Sequence, residues 1–254
     1  MSSEDRFGYE WNKYPEIIPE YESQFRNWVH PLGHEDFQGK KVLDAGCGSG
    51  RSSYWSLKWG TQTLVAFDFD LRSVAVAREN LHEFNNARVL FKNIYEIDWQ
   101  EEFDLVFSIG VIHHLKDPKL AIKKLVQALK TNGKLVLWVY SYDGNEWIVN
   151  YVSPLRKKII SKLPVRLVHW LSYLLSAPLW LMMKIFKPKN GYLKQLSTFK
   201  FWHMHSIVFD QLIPDVANYW KKEEVEELMA DSGLSLVNIY RPENNCGWTI
   251  IGVR

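Results

Sequence analysis

A short apolar run that ends in a glycine-rich turn constrains the fold of this chain most strongly. Residues 42–50 read VLDAGCGSG, and the stretch 51–57 behind them is predicted to be helical. Glycines in such a turn let a ligand approach the backbone. Their spacing is G-x-G-x-G, and Arg51 stands where a dinucleotide-binding fingerprint has its third glycine. Asp44 at the strand end would repel a pyrophosphate and suits a cationic amino group. An ordinary tight strand-to-helix turn is the alternative interpretation.

Further strands and helices alternate along the chain around this turn. Apolar runs separated by helical spacing are typical of a parallel sheet with helices on both faces. The pattern predicts strands at 63–70, 87–93, 103–111 and 134–141, helices at 20–29, 71–84, 118–129 and 221–233, and closing strands at 234–240 and 248–253. Thr131, Asn132 and Gly133 are interpreted as a helix stop.

An acidic residue ends the second strand, as nucleotide-binding strand–helix–strand units require. Asp68 lies 24 positions after Asp44, and a carboxylate there can accept hydrogen bonds from both ribose hydroxyls. Together with the glycines, Asp44 and Asp68 form a pattern that resembles that of the class I S-adenosylmethionine-dependent methyltransferases of type 11. The resemblance extends from about Gly39 to Ser141. The resemblance implies a methyltransferase enzyme with a Rossmann-like α/β fold, in which a seven-stranded sheet carries helices on both faces and a helical cap insertion.

The same resemblance implies the cofactor and its contacts, position by position. The cofactor is S-adenosyl-L-methionine, with S-adenosyl-L-homocysteine as product, and the glycine-rich loop surrounds its methionine part. Asp68 holds the ribose and Phe69 lies beside the adenine. Asn93 replaces the Asp that the family often has, and Ile94 offers its backbone N–H to the adenine. The implied cofactor-binding residues are Asp44, Gly46, Cys47, Gly48, Asp68, Phe69, Asn93, Ile94 and Ser108.

Three residues are candidates for a catalytic role near the transferred methyl. His113 follows the fourth strand, and a histidine of ordinary pKa can take a proton from an acceptor. Packing behind the cofactor is the alternative role for His113. Tyr9 lies in the aromatic opening FGYEWNKY, which either covers the cofactor or fastens the N-terminus to the sheet. Tyr219 lies at the end of the cap segment and is expected on the acceptor side.

Cysteine and histidine spacing gives no support to a metal site. The two cysteines, Cys47 and Cys246, are far apart, and no H-x-x-x-H, C-x-x-C or nucleophile-elbow motif occurs. We therefore predict no metal. The first eleven residues lack the apolar stretch of a signal peptide, so a cytoplasmic location is expected.

A net charge of only +2 conceals two oppositely charged parts. Residues 147–209 contain ten basic and no acidic residues, whereas the rest has 21 basic and 29 acidic residues. This segment lies where the family inserts its substrate cap. We divide the chain into an aromatic cover (1–38), a cofactor-binding core (39–141), a basic and aromatic cap (142–220) and a closing part (221–254).

The cap contains a nearly continuous apolar run, residues 167–186. Pro178 in its middle argues against a membrane span and predicts two helices broken near Ala177–Pro178. Three roles compete, ranked as a lid over an apolar acceptor, a peripheral membrane contact through 155–190, and nucleic-acid binding, which is expected least. A dimer interface is the structural alternative, so a homo-oligomer is possible. The predicted acceptor is small and apolar or lipid-like; a non-catalytic membrane-surface or partner-binding module that retains the cofactor pocket is the alternative function.

Overall fold

The protein is built around a seven-stranded mixed sheet. Its structure is a computed structural model that describes residues 3–186, 196–243 and 245–254. The strand order is β3-β2-β1-β4-β5-β7-β6; β1 to β5 are parallel, and β7 runs antiparallel to both β5 and β6. The strands are β1 Lys41–Ala45, β2 Thr63–Asp68, β3 Ala87–Phe91, β4 Phe103–Ile109, β5 Leu129–Tyr140, β6 Ser235–Tyr240 and β7 Gly247–Val253. The predicted fold class is confirmed.

Helices cover both faces of this sheet, and the central strands are apolar on both sides because both faces are buried. One core includes Leu125 and Val225 from the covering helices, and the other includes Phe25 and Val74. The helices are α1 Ser3–Lys13, α2 Glu20–Val29, α3 His34–Phe37, α4 Arg51–Lys58, α5 Leu71–Asn80, α6 Pro118–Ala128, α7 Ser153–Lys158, α8 Val165–Phe186, α9 Phe201–Asp210 and α10 Lys222–Met229.

Several element boundaries differ from the predicted ones, and the helix predicted at 221–233 ends at Met229. The helix predicted at 71–84 ends at Asn80, and β5 begins at Leu129 instead of residue 134. Asn132, with a φ of 63°, was expected to stop a helix. Its N–H instead donates to the carbonyl of Arg254, and the Arg254 N–H donates to Gly133. Pairing with the C-terminus thus places these residues in the strand.

Helix α1 is an element that the sequence patterns did not predict. It is fastened to the cap by Arg6, whose side chain is only 1% exposed. The Arg6 guanidinium donates to the backbone carbonyls of Ile160 (3.4 Å), Leu163 (2.7 Å) and Ser161. Gly8 lies against the Asp70 side chain at the start of α5. The N-terminal helix therefore crosses the edge of the sheet at which the parallel strands end.

The cap contains one long helix where two were predicted. Helix α8 continues through Pro178, so the predicted break near Ala177–Pro178 is wrong. A proline removes one helical hydrogen bond, that to the carbonyl four residues earlier. That residue is Leu174, which is 71% exposed, so water can replace the lost N–H. No helix in the described ranges combines the length and apolar character that a membrane crossing requires. Residues 187–190 of the predicted 155–190 membrane contact lie outside the described residues.

Candidate active site

The glycine-rich loop after β1 leaves room for two side chains to approach its backbone. Gly46 has a φ of 80°, and a Cβ there would lie 2.5 Å from the Val111 side chain, which follows β4. Gly48 has a φ of 54°, and a Cβ there would lie 3.0 Å from the indole of Trp11 in α1. Both glycines are therefore required by conformation and by close approach. The loop connects β1, β4 and the N-terminal helix.

Asp44 is buried behind this loop, where its carboxylate accepts a hydrogen bond from the Ser53 hydroxyl at 2.6 Å. Burial raises the pKa of Asp44 to about 7, and the nearby Asp68 carboxylate adds to that rise. A cation beside Asp44 would offset this cost by favouring the charged carboxylate. The site therefore suits an ammonium group.

Asp68 lies at the end of β2 and orders two turns. It accepts the backbone N–H of Gly48 at 2.9 Å and that of Asp70 at 3.0 Å. Burial raises the pKa of Asp68 from its ordinary value. Asp70 caps α5 by accepting the N–H groups of Arg72 and Ser73. The two neighbouring acids thus have different functions.

The predicted adenine-contacting residues lie around the ends of β2 and β3. Phe69 is 47% exposed and stacks on Phe91 with ring centroids 6.0 Å apart. The Asn93 side-chain oxygen accepts the N–H of Tyr95 and so caps a short turn that begins at Ile94. The exposed face of Phe69 is available for a planar ligand. Asn93 has a local structural role whatever it binds.

Two other predicted cofactor residues are buried beneath the loop. The Ser108 hydroxyl donates to the carbonyl of Ala45 at 2.8 Å, which connects β4 to the end of β1. Cys47 is 8% exposed, and burial raises the pKa of its thiol well above the ordinary value. Ser108 therefore positions the loop, and the protonated Cys47 thiol contributes apolar volume.

His113 is fully buried at the turn after β4. Its ring stacks on Tyr140, with centroids 3.8 Å apart, and its Nδ1 accepts the Tyr140 backbone N–H at 3.4 Å. Burial lowers the pKa of His113 well below its ordinary value, and the adjacent His114 lowers it further. The ring is therefore neutral with its proton on Nε2. These contacts favour a packing role, and they give the predicted base role no support.

Tyr9 and Tyr219, the other predicted catalytic residues, lie in separate contacts. Tyr9 packs edge-on against Phe209 and His169 of the cap. Tyr219 stacks on Tyr140 with centroids 5.1 Å apart, and its hydroxyl donates to the Gln211 side chain at 3.2 Å. Of the two, Tyr219 is the one connected to the strand that ends beside His113.

The structure adds two buried charged residues, Glu10 and Arg156, to the candidates from the sequence. Glu10 of α1 is 2% exposed and forms a hydrogen-bonded pair with Asp210 of α9. Arg156 is fully buried, unlike the other cap cations whose side chains the structure describes. Its Nη1 donates to the Gln211 carbonyl at 2.9 Å. Arg51 lies over the rings of Trp11 and Tyr21. The sequence signal for Glu10 was an acid within the aromatic opening FGYEWNKY.

Comparison with known proteins identifies the core of the chain. A family model described as a methyltransferase domain matches residues 43–137. Solved structures agree in fold: magnesium protoporphyrin IX methyltransferase from Synechocystis has 14% identity and a TM-score of 0.56, over 92% of this chain and 84% of that one. Residues 43–137 are therefore similar to a methyltransferase domain. These matches agree with the predicted family, enzyme class and cofactor.

Curated relatives correct the predicted partner. tRNA U34 carboxymethyltransferases from Campylobacter hominis and Alteromonas mediterranea are 34% and 31% identical over 44% and 55% of this chain. The chain covers 40% and 46% of their lengths. We predicted a small-molecule or lipid-like acceptor, a possible contact with the membrane surface, and nucleic acid as less favoured. That prediction is wrong, because these relatives are named for transfer to tRNA.

Proposed function

We propose that this protein transfers a methyl group from S-adenosylmethionine to a nucleoside of RNA, with tRNA as the first candidate. The observation that carries the proposal is the name shared by the curated relatives, tRNA U34 carboxymethyltransferase, at 31 to 34% identity. The chain spans less than half the length of each relative. The acceptor is therefore inferred through the methyltransferase domain.

The geometry of the loop supports the cofactor half of the proposal. Asp44 is a buried carboxylate with a raised pKa, and an ammonium group would neutralise it. Asp68 ends β2, the position from which a carboxylate can bind a ribose diol. The backbone between them is accessible because Gly46 and Gly48 carry no side chain. Phe69 supplies an exposed ring for the adenine.

The charge of the cap supports the RNA half of the proposal. Cationic side chains contribute affinity for phosphates, and exposed aromatic rings can stack on unpaired bases. Trp170 and Trp202 are 71% and 57% exposed. Of the seven cap cations that the structure describes, six are exposed, namely Lys157, Lys158, Lys162, Arg166, Lys184 and Lys200. No acidic residue occurs between Trp147 and Phe209 to repel phosphate.

In the mechanism we propose, the protein contributes to catalysis mainly by positioning the acceptor relative to the methyl group. When bound, the cofactor supplies an already activated methyl group, so the protein has to hold the acceptor in line and exclude water. Helix α1 contributes Trp11, which lies against Gly48 and covers the glycine-rich loop. Tyr140, which stacks on His113, lies at the end of β5. We propose that these residues help to exclude water from the position at which the methyl group is transferred.

A labelling experiment tests the proposal. The protein is incubated with methyl-labelled S-adenosylmethionine and total bacterial tRNA, and label is measured in RNA before and after nuclease digestion. We expect nuclease-sensitive label with wild type, and at least about a 100-fold loss with Asp68→Ala, since ribose binding is removed. Asp231→Asn, an exposed acid distant in sequence from the loop, is the matched control.

Two measurements decide the outcome. Calorimetric titration with S-adenosylhomocysteine establishes that the wild-type protein binds the cofactor product. Cofactor binding without any label in tRNA would contradict the RNA acceptor. Equal labelling by wild type and Asp68→Ala would contradict the proposed cofactor site.

A further inference from the structure

A carboxyl pair lies between the N-terminal helix and the cap. Glu10 of α1 is 2% exposed, and its carboxyl hydrogen-bonds to that of Asp210 at the end of α9. The Glu10 Oε2 atom is buried and has no partner among the described residues. Two adjacent carboxylates repel each other, so this pair, with Glu10 buried and Asp210 half-buried, holds a proton between its members.

A chain of hydrogen bonds leads from the pair to the end of β5. The Tyr140 hydroxyl donates to Asp210 Oδ2 at 3.2 Å and accepts from the Gln211 amide at 3.1 Å. Tyr219 then donates to the Gln211 side-chain oxygen at 3.2 Å. Tyr140 also stacks on His113, at the turn after β4. The pair is thereby connected to the strand ends that surround the candidate methyl-transfer position.

Two arginines act electrostatically on the pair. Arg51 is the first residue of α4, directly after the glycine-rich loop, and Arg156 belongs to the cap. Both cations lower the pKa of Asp210, although burial raises it overall, and burial raises the pKa of Glu10 more strongly. Asp210 is therefore the member that is ionised first, and Glu10 retains the proton. The titratable or charged groups that face the pair are Arg51, Arg156, Tyr14, Tyr21, Tyr140 and Tyr219.

From this geometry we infer that the Glu10–Asp210 pair is the general base that accepts the proton of the methyl acceptor. The inference rests on the proposed function, because it requires an acceptor with an N–H or O–H group. As the acceptor lone pair forms its bond to the methyl carbon, the carbon–sulfur bond of the sulfonium breaks and its electrons remain on sulfur. The acceptor proton passes to the Asp210 carboxylate. The positive charge lost from sulfur is thus balanced by that proton.

The pair is a better base than His113, the candidate base in the sequence. His113 is neutral, but its Nδ1 already accepts a backbone N–H and its Nε2 carries the proton. The Asp210 carboxylate retains free lone pairs and has a pKa above the ordinary carboxyl range. A base is most effective when its pKa approaches the working pH. We therefore assign proton acceptance to the pair and a packing role to His113.

Substitution kinetics with tRNA as acceptor test the inference. We expect Asp210→Asn to lower kcat by about 100-fold or more, with affinity for S-adenosylhomocysteine within about threefold of wild type. Glu10→Gln removes the shared proton and lowers kcat by about tenfold. Tyr140→Phe, which keeps the aromatic ring, also lowers kcat and serves as a second variant if Asp210→Asn does not fold. Asp231→Asn is the control and retains the wild-type rate.

Infrared spectroscopy supplies a readout that does not depend on activity. A buried protonated carboxyl gives a C=O stretching band, so wild type should show one component at neutral pH that Glu10→Gln lacks. An unchanged band in Glu10→Gln, or a kcat within threefold of wild type in Asp210→Asn, overturns the inference. A wild-type protein that labels no RNA instead overturns the proposed function.

Discussion

At the scale of single residues, burial decides the chemistry of the acids. Asp44, Asp68 and Glu10 all have raised pKa values with burial as the largest cause, whereas Asp70 has a lowered pKa because Arg72 and backbone N–H groups hold its charge. Burial of these three carboxyl groups costs free energy. A bound cation can offset that cost at Asp44, a ribose at Asp68 and a shared proton at Glu10. Such costs are typical of functional positions.

Asp44 provides a direct test of that cost. Its pKa is about 7 in the folded protein and 3.8 for the free side chain, so the folded state binds the extra proton between these values. Stability from this group is fully present below pH 3.8 and is lost as pH rises through about 7. When the pH is raised from 5 to 8, we expect the unfolding free energy of Asp44→Asn to increase by about 2 kcal/mol relative to that of wild type.

Urea denaturation at the two pH values, without cofactor, measures the effect of Asp44→Asn. The control is Asp231→Asn, whose side chain is exposed and which should follow the wild-type pH dependence. A difference between Asp44→Asn and wild type that does not change with pH would contradict the assigned pKa. The same variant should bind S-adenosylhomocysteine more weakly, since the carboxylate for the ammonium is gone.

At the scale of elements, α1 connects two parts of the molecule. Arg6 binds it to the cap, and Trp11 and Gly8 lie against the glycine-rich loop and the start of α5. Glu10 on the same helix reaches Asp210. One short helix thus positions a residue over the cofactor loop and another beside the cap acids. Loss of the Arg6 side chain should therefore affect both the cofactor loop and the cap acids.

We expect Arg6→Ala to lower the unfolding free energy by about 2–4 kcal/mol, because three backbone carbonyls lose a buried charged donor. Amide hydrogen exchange in residues 3–13 should rise together with the dissociation rate of S-adenosylhomocysteine. Arg26→Ala is the control, since Arg26 forms an exposed ion pair with Glu22 and should change stability by less than about 1 kcal/mol. Unchanged exchange in α1 would show that Arg6 is not its anchor.

At the scale of the whole molecule, charge is divided between the core and the cap. Ten cations without one acid lie between Trp147 and Phe209, and six of these cations are exposed in the described residues. A protein that binds RNA through phosphates releases counterions, so its affinity falls steeply with salt. The proposed function therefore implies a salt dependence that a small neutral acceptor would not show.

If three exposed cap cations contact phosphates, raising KCl from 50 to 200 mM should weaken tRNA binding by about 40-fold. Filter binding or fluorescence anisotropy measures the slope. The double variant Lys157→Glu, Lys158→Glu should reduce the slope, with binding of S-adenosylhomocysteine unchanged. Glu substitutions at Lys222 and its neighbour Lys221, on the closing helix, provide the matched control outside the cap. A salt-independent affinity would contradict phosphate contacts.

Much of the core could be predicted because its signals are local in sequence. The run that ends at Ala45, the glycines after it and Asp68 at the end of β2 are consecutive motifs whose meaning depends on backbone conformation alone. Helix α2 has the predicted limits for the same reason, since its apolar spacing lies within ten residues. Local patterns therefore predicted the fold and the cofactor.

The cap and the polar pair could not be predicted because they depend on contacts between distant segments. Pro178 predicted a break, but the exposed carbonyl at Leu174 lets α8 continue. The sequence determined a methyltransferase domain with a basic, aromatic insertion. Tertiary structure alone decided that Glu10 meets Asp210, 200 positions away, and that His113 packs on Tyr140. Side-chain pKa values follow burial and neighbouring charges, and these exist only once the chain has folded.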